Sequence, residues 1–126
     1  MKELVKKLVK VETAISKEKG ELNLFALFLR EDAPNKWDLL IASPWAERNK
    51  SEALRVLSGR LQKALTKKDL MKLSRIVIID QSNPALSAIQ RAIHVEHSDA
   101  EIKDSNFFGL QIRHAYVITS KGPETA

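Results

Sequence analysis

Arg75-Ile76-Val77-Ile78-Ile79-Asp80 sets four consecutive β-branched aliphatics between two charges. That pattern is expected of a strand buried on both faces inside an α/β sheet. Gln81-Ser82-Asn83-Pro84 follows at once and a helical pattern succeeds it, so Asn83 should cap a helix that Pro84 opens. Open α/β sheets hold ligands outside the carboxyl ends of their strands, which makes Asp80, Ser82 and Asn83 a candidate location for a site. The location carries no chemistry by itself.

Upstream, Leu4, Leu8, Val11 and Ile15 form one helical stripe, and Gly20 stops the helix after Lys17 and Lys19. Leu22 to Arg30 is apolar at odd and even positions alike and reads as a central strand. Glu31 to Lys36 is a turn by composition, and Trp37 to Ser43 returns as the second strand of an antiparallel hairpin. A long helix is expected from about Arg48 to Thr66, with Leu54, Leu57, Leu61, Ala64 and Leu65 inward and Arg60, Lys63 and Lys67 on the opposite side. Lys67 to Lys72 suggests a short extra turn. After the Ile76–Ile79 strand, a helix over Pro84–Ile93 turns Leu86, Ile89 and Ile93 inward. His94 to Ser98 reads as a short extended piece, Asp99 to Asn106 as a polar connector, Phe107-Phe108-Gly109 as a bend, and Ile112 to Ser120 as a last strand. The expected order is α-β-β-α-β-α-(β)-β, an α/β domain over residues 1–120 with a mixed sheet of four to five strands and a frayed tail at 121–126.

A chain of 126 residues fits a single domain. It contains no cysteine, which excludes disulfides, thiolate catalysis and cysteine-ligated metals. No apolar run approaches a membrane span and no signal peptide is recognisable, so a cytoplasmic protein without membrane contact is expected. Lys and Arg number 21 against 16 Asp and Glu, a net charge of +5. That balance biases the surface toward nucleic acid or an acidic protein partner.

Candidate chemistry is sparse. Trp45, with Arg48 and Lys50 close by, could stack on a base or anchor an interface; its alternative role is to plug the end of the core. Lys6, Lys10 and Lys17 form a row on the first helix able to follow phosphates, and Arg60 and Lys63 on the second long helix are assigned with Lys6 and Lys10 to the candidate basic surface. His94, Glu96, His97, Asp99 and Glu101 crowd potential metal ligands together but match no standard ligand spacing, so no metal is assigned. None of the three histidines has an orienting acid legible from the sequence, and no G-x-S-x-G elbow or P-loop is present. Glu101-Ile102-Lys103 resembles the E-x-K of the restriction-type nuclease core, with Asp80 as partner acid for a Mg²⁺ site. Against it, a helix is expected between Asp80 and the tripeptide, whereas that core sets both on neighbouring hairpin strands.

The leading expectation is a small basic, non-catalytic binding or interaction module without a cofactor. Its candidate binding residues are Trp45, Arg48, Lys50, Arg60, Lys63, Ser82 and Asn83, and its partner is nucleic acid or an acidic protein. The alternative is a metal-dependent hydrolase or nuclease using Asp80, Glu101 and Lys103. A homodimer through an apolar sheet edge or Phe107–Phe108 is a further expectation.

Overall fold

β1 (Leu24–Leu29) is apolar on both faces because both faces are covered. A computed structural model describes residues 1–33, 35–107 and 110–122, apart from the side chains of Phe107 and Leu110. β1 pairs antiparallel with β2 (Trp37–Ala42) on one side and with β5 (Leu110–Ser120) on the other. β3 (Leu73–Ile78) runs parallel to β2, and β4 (Ala100–Phe107) antiparallel to β5. The five strands form one mixed sheet in the order β3-β2-β1-β5-β4, the α/β architecture expected of the sequence.

One face carries α1 (Lys2–Lys19) and α3 (Lys50–Ala64). Leu4, Leu8 and Ile15 of α1 and Leu57 and Leu61 of α3 pack there against Phe25, Leu27, Leu39, Ile41 and Ile118. The other face carries α5 (Pro84–Ala92), whose Leu86 and Ile89 cover Leu24, Ala26 and Val117. Among the described residues no helix is long and apolar enough to cross a membrane.

Helix boundaries follow from side-chain caps. Ser43 accepts a hydrogen bond from the Ala46 N–H at the start of α2 (Pro44–Arg48), and Asn49 accepts one from Glu52 at the start of α3. The helix expected from about Arg48 to Thr66 is α3, and Asn49, whose backbone leaves the helical region, separates it from the short α2 before it. Thr66 and Asp69 form a reciprocal capping box on α4 (Lys67–Lys72). Asn83 caps α5 with Pro84 in the first turn, as expected. Gly20, at φ 115°, ends α1 in backbone that residues with a Cβ rarely adopt.

Several expectations are corrected. β3 lies at the edge of the sheet, so Ile76, Val77 and Ile78 are half-buried and only Ile79, just past the strand, is buried. Each face of β3 meets a core, but among the described residues one flank has no neighbouring strand. The segment read as a polar connector is the opposite edge strand β4, where alternating charges suit an open margin. His94 to Ser98 contributes a single bridge, Val95 to Ser120. Leu54 and Ala64 are exposed, and Leu57 and Leu61 carry the inward stripe of α3 with Ala53. The bend expected at Phe107-Phe108-Gly109 and the end of the expected tail, 123–126, fall on residues outside those described.

Candidate functional site: a basic seam and a held histidine

Arg60 and Lys63 do not point away from the rest of the fold. With Lys7, Lys10, Val11 and Ala14 they line a groove of about 490 Å³ between α1 and α3. The two helices run antiparallel there, since Arg60 pairs with Glu18 late in α1 while Lys7, early in α1, reaches past the end of α3 to Asp69. Lys10 and Lys63 have no carboxylate partner among the described residues, so their charge faces solvent unneutralised.

Lys7 and Asp69 tie α1 to α4 at 2.7 Å. The Lys7 ammonium, followed by the Thr66 backbone N–H, lowers the Asp69 carboxyl from 3.8 to about 2. A carboxyl lowered in the folded state adds stability that is complete above its unfolded value and lost as pH falls through its folded value. That window runs from about pH 4 down to pH 2, and solvent at the half-exposed Lys7 limits the gain to roughly 1–2 kcal/mol. Asp69→Asn is therefore expected to lower the urea midpoint at pH 5 and to match the parent near pH 2.

Beyond the last turn of α1, Trp45 and Arg48 meet Lys19, Asn23 and Gln81 around a crevice of about 400 Å³. It opens past the carboxyl ends of β2 and β3, the end of the sheet where the sequence located a site. Trp45 is half-buried, and its ring N–H, the Asn23 side-chain oxygen and the Gln81 side-chain nitrogen are shielded without hydrogen-bond partners. Glu47 accepts the Gln81 backbone N–H at 3.2 Å, pinning the loop after β3 to α2. Lys50 pairs with Asp80 at 2.8 Å, which raises the Lys50 ammonium above its usual value. Ser82 and Asn83 are exposed and line no part of this crevice, Asn83 serving as the cap of α5.

Asp80 follows β3 at one edge of the sheet, and Glu101 and Lys103 lie on β4 at the other. Four strand spacings separate those edges, about 19 Å, far beyond a shared metal. Glu101 instead binds His114 at 2.7 Å, with Lys103 at 3.6 Å. The His114 hydrogen bond holds the Glu101 carboxyl below its usual range. Burial, then Glu101, raises the Tyr116 hydroxyl above its own. His114 also meets Trp37 edge-on at 5.0 Å, so this cluster braces the mouth of the sheet. Among the described residues no three His, Asp or Glu side chains converge on a metal position.

Two histidines do have carboxylate partners, contrary to the sequence reading. Besides His114, His97 places Nδ1 2.5 Å from Oε1 of Glu12, a carboxylate with 0% exposure on the inward side of α1. Ser16 donates its hydroxyl to the other Glu12 oxygen at 2.8 Å. The His97 backbone N–H donates to Thr119, and its φ of 51° is left-handed for a residue with a Cβ. A cavity of about 570 Å³ opens beside the ring, lined also by Lys6, Lys7, Lys10, Ser98 and the carboxylates of Glu3 and Asp99. Lys7 and Lys10 thus border both this cavity and the α1–α3 groove. The available signal was Glu12 itself, a charge set among Leu8, Val11 and Ile15 on the apolar side of the helix.

No protein-family model, no curated protein and no solved structure matches the chain.

Proposed function

We propose that this protein is a binding module for single-stranded nucleic acid, seated along the α1–α3 seam. The observation that carries the reading is the groove in which Lys10 and Lys63 stand unpaired beside Lys7 and Arg60. Lys7 and Arg60 are fixed by Asp69 and Glu18, and the two free ammonium groups supply the charge that a phosphate chain would neutralise. Counterions released from that chain drive such binding, with a salt dependence set by the number of phosphates contacted. Trp45, with Lys19 and Arg48 beside it, lies past the end of α1 toward which the seam runs and offers a ring to a base. An acidic peptide would satisfy the lysines and leave that ring without a stacking partner.

Fluorescence anisotropy with a labelled single-stranded oligonucleotide tests the reading across a salt series. Two phosphate contacts, at Lys10 and Lys63, give a slope of log K against log salt of about −1.4. Lys10→Glu with Lys63→Glu should weaken binding by about tenfold or more and flatten that slope. Trp45→Ala should weaken it by about 1–3 kcal/mol with the slope unchanged. Undiminished affinity in the lysine double variant refutes the seam.

A further inference from the structure

We infer that His97 is a general base for cleavage of RNA, held in place by Glu12 and fed by the strand bound on the α1 lysines. The inference rests on the nucleic-acid reading above and adds a reaction to it. A carboxylate only accepts hydrogen bonds, so Nδ1 carries the proton toward Glu12 and Nε2 is turned outward. Among the described residues the nearest carboxylate to Nε2 belongs to Glu96 at 4.0 Å, beyond hydrogen-bond reach, and the side chain is 39% exposed. The base is thus fixed at one nitrogen and open at the other.

Its setting is costly in ways a loop anchor does not require. A fully buried carboxylate, a hydroxyl spent on it and a left-handed backbone all serve the placement of this one ring. The cavity beside it is lined by Lys6, Lys7 and Lys10, cations suited to the charge that builds on a phosphate under attack and in excess of the two carboxylates, Glu3 and Asp99, that share its wall. Among the described residues, no protein hydroxyl is hydrogen-bonded to Nε2, so the nucleophile falls to the substrate. A ribose 2′-hydroxyl supplies one, and deoxyribose does not.

Nε2 takes the proton of the 2′-hydroxyl as the 2′-oxygen bonds to phosphorus. The bond from phosphorus to the 5′-oxygen breaks, and that oxygen takes a proton from water. His97 then returns its own proton to solvent. The products are a 2′,3′-cyclic phosphate and a free 5′-hydroxyl, and no co-reactant is consumed. Glu12 touches no substrate and acts as a positioning residue.

The experiment incubates the full chain with a labelled RNA oligonucleotide and with its all-deoxy counterpart, while binding is measured in parallel. RNA should be cut to cyclic-phosphate ends and the deoxy strand should stay intact. His97→Asn, whose amide can still donate to Glu12, should bind RNA with unchanged affinity and cleave it about 100-fold more slowly or worse. Added imidazole should restore cleavage in His97→Gly, a rescue that a purely structural histidine would not show. Glu12→Gln should lower turnover by about tenfold or more with half-saturation unchanged, the cost usual for losing the carboxylate that orients a functional histidine. RNA that is bound but left intact overturns this inference alone, as does equal cleavage by His97→Asn. Absence of any binding to either strand overturns the nucleic-acid reading with it.

Discussion

Phe25→Ala is expected to lower the free energy of unfolding by about 3–5 kcal/mol, a large share of what a domain this size possesses. Phe25 has 0% exposure on the middle strand, with β2 and β5 on its flanks and the α1–α3 layer above it. Truncation removes its transfer free energy and leaves a void that neighbouring strands cannot close without breaking their ladders. Val77→Ala provides the contrast. Val77 is half-buried on β3, which has one neighbouring strand, and its loss should cost about 1 kcal/mol. Urea unfolding followed by circular dichroism measures both. Equal costs would contradict a sheet with β1 at its centre and β3 at its margin.

That contrast also marks what the sequence could disclose. The Ile76–Ile79 run correctly signals two covered faces, since Ile76 packs against one core and Val77 against the other. Whether a strand has one neighbour or two depends on pairing with distant segments, which a local pattern does not encode. β4 fails to show itself for the complementary reason. Ile102 packs against a core while Glu101 and Lys103 beside it are exposed, so a real strand has the composition of a connector. The hairpin and the caps at Asn83 and Pro84 were legible because their causes lie within a few residues.

The candidate site divides along the same line. Arg60 and Lys63 could be selected by charge, yet the seam with Lys7 and Lys10 exists only once α1 and α3 are packed side by side. Trp45 and Arg48 lie three residues apart, in what the sequence presents as a strand-to-helix loop and the structure winds into α2, and they do share a crevice. Asp80 and Glu101 suited one another by chemistry and end on opposite margins of the sheet. His97 and Glu12 are 85 residues apart, a separation at which no spacing rule operates.

The second large effect concerns that last pair. His97→Ala should cost about 3 kcal/mol, because Glu12 keeps its place in the core and loses the ring N–H that hydrogen-bonds its buried carboxylate. Glu12→Leu in that background should recover most of the loss, an apolar side chain of similar size being at home beside Leu8, Val11 and Ile15. His97→Asn should fall between them, since its amide can still donate to the carboxylate. Urea midpoints of the single and double variants form a cycle whose coupling energy isolates the pair. Coupling of about 2 kcal/mol or more is expected, whereas simple additivity would mean that the Glu12 carboxylate is satisfied by some other group. A core that is more stable with leucine at position 12 than with its own glutamate would locate the reason for that glutamate outside folding, at the ring it holds toward the lysines.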